Sequence, residues 1–193
     1  MSQPRPIGAV LAGGRARRLG GDKARLEIAG RPLVAWPLAA LAAALAEVVV
    51  VAKRDTPLPE LGDVEIWHEP DQPRHPGAGI AHALERAAGR PVLVCAGDMP
   101  LVTPELVRRL AGEDADGAPA VVPRAGGRLQ PLLARYEAAA LPALRAAAPD
   151  APLTAVVEAL GPRVVELPDE GPFLNVNTPA DVAAAAQFLS RGS

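Results

Sequence analysis

One stretch near the amino terminus carries the chemistry of a triphosphate cradle. In Leu11-Ala12-Gly13-Gly14-Arg15-Ala16-Arg17-Arg18-Leu19-Gly20-Gly21-Asp22-Lys23, four glycines stand beside three arginines and a lysine. Glycines let the backbone turn sharply and bring its N–H groups close to phosphate oxygens. Main-chain groups of Leu11, Ala12, Gly13 and Gly14 are therefore candidate nucleotide contacts, and Lys23 is a point charge for phosphate. Arg17 and Arg18 add positive charge, and Asp22 can orient Lys23 or serve a helix start. Two better-known loops are excluded. A Walker A loop ends Gly-Lys-Ser/Thr, whereas Lys23 follows Asp22 and precedes Ala24. The dinucleotide fingerprint G-x-G-x-x-G fails because Gly13 and Gly14 are adjacent.

Asp98, in Gly97-Asp98-Met99-Pro100, directly follows the apolar run Pro91–Ala96. A carboxylate there suits magnesium, which prefers one or two carboxylates together with phosphate oxygens and water. The competing reading is an aspartate that starts the turn before Pro100. Asn175 and Asn177 alternate, so an extended segment points both amides to one face. They suit a heterocycle or a metal edge, or else the start of a helix at Pro179. His68, His75 and His82 are spaced by seven, but Pro70, Pro73 and Pro76 forbid a continuous helix between them, so no zinc site is expected.

The elements that must position these groups alternate. Strands are expected at Ile7–Ala12, Glu47–Ala52, Val64–Trp67, Pro91–Ala96, Ala120–Pro123, Leu132–Tyr136 and Arg163–Leu167. Helices are expected over Pro32–Ala46, Ala78–Ala88, Pro104–Leu110 with Thr103 as cap, Glu137–Ala147, Leu153–Leu160, and Pro179–Leu189 with Thr178 as cap. Arg124–Arg128 reads as a basic turn. The pattern predicts an α/β fold. Its sheet is Rossmann-like, open, twisted and mainly parallel, with helices on both faces and at least one antiparallel strand. In such a sheet the ligand sits at the carboxyl ends of the strands, where both the first loop and Asp98 fall.

The chain of 193 residues is long enough for one well-cored domain, taken as residues 1–193. A net charge of −2 gives no argument for nucleic acid or anionic membrane, and neither is expected as partner. The lone Cys95 excludes an intrachain disulfide and reads as core filler. Leu33–Ala52 is long and apolar, but it changes at Glu47 from alanine–leucine to valine, so a helix followed by a buried strand is expected and no membrane span. With no signal peptide evident, a cytoplasmic location is expected.

The first loop, with Gly97–Pro100 and Phe173-Leu174-Asn175-Val176-Asn177-Thr178-Pro179, resembles the molybdenum cofactor guanylyltransferases over nearly the whole chain. The resemblance implies a nucleotide-diphospho-sugar-transferase-like fold and transfer of GMP from GTP to the phosphate of molybdopterin. It implies Mg2+ on Asp98, catalytic roles for Lys23 and Asp98, and acceptor contacts from Asn175, Asn177 and Arg128 or Arg124. Asp71 approximately matches a nucleotide-contacting aspartate of the family. Lys53 stands where an asparagine is usual, and Pro76-Gly77-Ala78-Gly79 is a shortened G-P-L-A-G segment. Cofactor-donor or molybdoenzyme chaperone proteins are further partners that the resemblance allows. Two rival readings are a cytidylyltransferase of the same cofactor pathway and a non-catalytic nucleotide-binding module.

Overall fold

Period-two burial decides the architecture. The computed structural model describes residues 4–13, 15–16 and 21–190. Strand β1 (Ile7–Ala12) sends Val10 and Ala12 to one face and Ile7 and Ala9 to the other, all of them buried. A strand buried on both faces requires a layer of helices on each. Two short antiparallel pairs follow: β2 (Arg15–Ala16) with β3 (Gly21–Asp22), then β4 (Glu27–Ile28) with β5 (Arg31–Pro32). After them come α1 (Ala35–Ala42), β6 (Val48–Ala52), β7 (Glu65–His68), α2 (Pro76–Arg86), β8 (Val92–Ala96) and α3 (Pro104–Gly112). The chain continues through β9 (Ala120–Ala125), β10 (Arg128–Leu129), β11 (Leu133–Tyr136), α4 (Leu141–Ala146), α5 (Leu153–Ala159), β12 (Arg163–Leu167) and α6 (Pro179–Leu189).

The main sheet runs β10-β9-β11-β8-β1-β6-β7, with β12 parallel to β9. Strands β8, β1, β6 and β7 are mutually parallel, and β11 is antiparallel to both β8 and β9. Two reversals restore the direction, so β9 also ends at the edge where β8 ends. Helices α1 and α3 bury Leu38, Leu41, Val107 and Leu110 on one face of the sheet. Helices α2, α4 and α5 bury Ile80, Leu84, Leu144 and Val157 on the other. The open, mainly parallel α/β sheet is the one expected. Cys95 is fully buried in β8, where loss of hydration pushes its thiol pKa up.

Some expected boundaries shift, each for a local reason. Pro32 does not open a helix. Ala29 and Gly30, both at positive φ, form a hairpin turn, and Leu33 N–H donates to Leu26 O at 2.7 Å, which delays α1 to Ala35. Helix α2 begins at Pro76, because the His75 ring accepts from Gly77 N–H and caps it. The basic turn narrows to Gly126-Gly127, with strands running through Ala125 and from Arg128. The apolar run Leu33–Ala52 splits into α1 and β6, and no helix among the described residues is long and apolar enough to cross a membrane.

Candidate functional site

Four parallel strands bring distant residues to one edge. Register aligns Leu11 with Ala96, Ala12 with Ala52, and Ala52 with His68. The residues just past these ends are Gly13, Lys53, Glu69 and Gly97-Asp98. Gly97 N–H donates to Leu11 O at 3.0 Å. A Cβ on Gly97 would come within 3.2 Å of that same oxygen, so this position needs glycine for Asp98 to sit hard against β1.

Lys23, in a single 3-10 turn (Lys23–Arg25), reaches into this edge. Its Nζ donates to Asp98 Oδ2 at 2.5 Å and to Asn177 Oδ1 at 2.7 Å. The other carboxylate oxygen, Asp98 Oδ1, is buried without a hydrogen-bond partner among the described residues. Val176 N–H donates to Asp98 O at 2.9 Å, so the carboxyl-terminal segment is stitched to the same loop. Its far side is held by a capping box, in which Thr178 Oγ1 accepts from Asp181 N–H and Asp181 accepts from Asn177 and Thr178 N–H. These hydrogen bonds to its charged form hold the Asp181 carboxyl below its ordinary pKa. Val176 and Ala185 pack with Ile28 and Leu33, seating α6 on the β4–β5 hairpin.

On the other side of Gly13 lies a buried charge pair. Lys53 Nζ stands 3.5 Å from Glu69 Oε1 and donates to Pro70 O at 2.5 Å and Pro73 O at 3.4 Å. Glu69 Oε2 is buried and has no hydrogen-bond partner among the described residues. A Cβ on Gly79, in the first turn of α2, would lie 3.5 Å from that oxygen, and one on Gly13 would lie 4.0 Å from Oε1. The carboxylate thus faces the gap between the first loop and α2. Burial raises its pKa, and Lys53 partly offsets the rise.

The sequence profile of the MobA-like NTP transferase domain matches residues 8–164. The chain belongs to this family. It is 36% identical to a molybdenum cofactor guanylyltransferase of Cereibacter sphaeroides, over 97% of this chain and 98% of that relative. The crystal structure of molybdopterin-guanine dinucleotide biosynthesis protein A from Archaeoglobus fulgidus superposes with a TM-score of 0.78 at 29% identity, covering 96% of this chain and 99% of that one. The fold is shared more widely. A 2-C-methyl-D-erythritol 4-phosphate cytidylyltransferase of Thermus thermophilus gives a TM-score of 0.70 at 24% identity, covering 97% of this chain and 100% of that one. The chain is accordingly a nucleotidyltransferase.

Within this MobA-like frame the residues singled out in the sequence fall into two groups. Lys23, Asp98 and Asn177 meet, with Leu11, Ala12 and Gly13 alongside. Asn175 and Arg128 instead line an open groove of about 1020 Å³ with Gln130, Phe173, Leu101 and Arg124. The two asparagines therefore separate: Asn177 holds Lys23, while Asn175 turns its amide to Phe173 O at 3.1 Å. Leu101 and Asn175 place the groove beside the Asp98 loop. Gly14, Arg17 and Arg18 lie outside the described residues. Asp71 is exposed in the loop two positions beyond Glu69. Glu69 and the role of Lys53 are what the sequence reading missed. The available signal was position: Glu69 directly follows β7, at the same edge as Asp98.

Asp98 and Asn177 offer hard oxygen donors, and Asp98 Oδ1 is an orphaned buried acceptor, which fits a divalent cation such as Mg2+. Among the described residues no group of three histidine, cysteine or acidic side chains is placed to hold a metal ion, so phosphate oxygens and water would complete such a shell.

Proposed function

We propose that the protein transfers GMP from GTP to the phosphate of molybdopterin, carried as its molybdenum complex, and releases pyrophosphate. The observation that supports this reading is the Lys23–Asp98 contact, which stands between two separate concavities of the strand edge. One is the Gly13–Glu69 gap, the other the Arg128–Asn175 groove. A transferase needs a donor site and an acceptor site on either side of the reacting atoms.

The acceptor is a phosphate monoester, already an anionic nucleophile, so no general base is required. One of its oxygens bonds to the α-phosphorus, and the bond from that phosphorus to the bridging oxygen breaks. Catalysis then rests on positioning and charge. Main-chain N–H groups of the loop from Leu11 to Gly14 cradle the triphosphate, and Lys23 offsets its charge. Glu69 accepts from guanine N1–H and N2–H; the unpartnered Oε2 supplies the second acceptor. Arg128, Arg124 and Asn175 orient the acceptor, and Asn177 orients Lys23. Mg2+ held by Asp98 would supply charge neutralisation between the two anions. A cytoplasmic site of action accords with substrates of this kind.

Competition decides the reading. With GTP and CTP at equal concentration, Mg2+ and molybdenum-loaded molybdopterin, the product is expected to carry guanine and to form with one pyrophosphate each. A cytidine product would establish the rival cytidylyltransferase. Nucleotide binding without any product would establish the non-catalytic module.

A further inference from the structure

Lys23 and a divalent cation want the same oxygens. An ammonium has three donors, and Lys23 spends two on Asp98 Oδ2 and Asn177 Oδ1. Those are the oxygens that the edge offers to a hard cation. The contact joins three remote parts of the chain, since Lys23 lies 75 positions from Asp98 and 154 from Asn177. Asp98 keeps one oxygen, Oδ1, buried and unpartnered. A cation approaching it meets the ammonium already seated on the neighbouring oxygen, and like charges at such range repel.

We infer that Lys23 is a stand-in cation: it occupies the metal position on Asp98 until a triphosphate draws it away, so that metal loading waits for the nucleotide. This rests on the reading of the edge as a nucleotide site. Bound phosphate oxygens give Lys23 a new partner. Asp98 Oδ2 and Asn177 Oδ1 are then released to the metal, and the charge that leaves is replaced by the charge that arrives. Metal and nucleotide each raise the other's affinity, and the coupling is reciprocal. The arrangement keeps Asp98 neutralised in every state and disfavours loading of metal without substrate.

The experiment reads Mn2+ binding by loss of the free-ion electron paramagnetic resonance signal, with no nucleotide present. Lys23→Met and Lys23→Gln are expected to bind Mn2+ about 5- to 150-fold more tightly than the native chain, the usual range for coupled sites. Lys23→Arg, which keeps the charge, stays near the native value. Adding Asp98→Asn to Lys23→Met removes the gain, locating it at this carboxylate. Equal Mn2+ affinity in the native, Met and Gln chains overturns the inference. Two neutral variants, each checked by its thermal melt, guard against one that does not fold. A separate arm measures GTP binding to the native chain with Mn2+ and in EDTA. Failure in both overturns the nucleotide reading, while the nucleotide-free arms still decide whether Lys23 blocks the metal.

Discussion

The two sides of the crevice, proposed above as donor side and acceptor side, hold their charges differently. On the donor side the Lys53–Glu69 side chains are 8% and 10% exposed, and the Lys23–Asp98 side chains 14% and 21%. On the acceptor side the Arg124–Glu166 pair is 40% and 68% exposed, and the Arg128–Glu170 pair 79% and 58%. A buried charge cannot be left without a partner, because desolvation is not recovered from water. A surface pair exchanges partners at little cost, since its net worth is about 0–1 kcal/mol. The donor side is thus a fixed template, in which Lys23 leaves Asp98 only when another cation replaces it. The acceptor side can release Arg128 from Glu170 to an incoming phosphate almost freely.

The sharpest way to break this contrast is at Asp98. Asp98→Asn should lower turnover by about 100- to 1000-fold, because it removes the carboxylate that would hold the cation neutralising the reacting phosphates. Steady-state kinetics at saturating GTP and varied Mg2+ checks it, and a near-native rate at limiting Mg2+ would remove Asp98 from the site.

Glu69 comes next. Glu69→Gln should cut GTP affinity about 10-fold or more, since a charge-assisted hydrogen bond is worth roughly 1.5–3 kcal/mol. Lys53 keeps Pro70 O and Pro73 O as partners in this variant, so the loop should hold. The native preference for GTP over ITP, which lacks the N2 amino group, should shrink with it. The sign with pH follows from burial. The pKa of Glu69 is raised, so its ionised form is lost as pH falls through a value above the ordinary carboxylate range. Native GTP affinity should therefore weaken on acidification earlier than an exposed carboxylate would dictate, and Glu69→Gln should lack that phase. Titration calorimetry across mildly acidic pH reads both.

Arg128→Ala should raise the acceptor KM several-fold, within the roughly tenfold that 1.4 kcal/mol represents, and leave GTP binding unchanged. A matching loss of GTP affinity would merge the two sides. Thr178→Ala should have the smallest effect. Loss of the cap costs about 1 kcal/mol and lowers the melting midpoint by about 2–4 °C for a chain of this size. Any change in kinetics should be secondary to loosening of Asn177.

The sequence made the donor template legible where one residue type has one meaning. The buried runs Ile7–Ala12 and Val92–Ala96 sit where expected, and threonine before proline marked the starts of α3 and α6. Lys23 and Asp98 were recognisable by type and by their position after strands. Glu69 was not, because it lies among Pro70, Pro73 and Pro76, a segment that reads as loop. Only the parallel pairing of β6 with β7 turns its position into a place in the crevice. The hairpin before α1 was hidden for a different reason: Ala29 adopts positive φ, which an alanine does not announce. Asn175 and Asn177 kept their alternation but parted company, since the capping box fixes one and a backbone carbonyl holds the other.

The lone thiol in β8 has a use of its own. Cys95 lies in β8, three residues before Asp98 in the turn that follows, fully enclosed, and its raised pKa keeps it unreactive while the fold is intact. The thiol lies on the face covered by α1 and α3, so an alkylating reagent reaches it when that cover opens. The rate of that single labelling event is therefore a clock for how often the strand that leads to Asp98 loses its cover. It needs no engineered probe, and each molecule reports once.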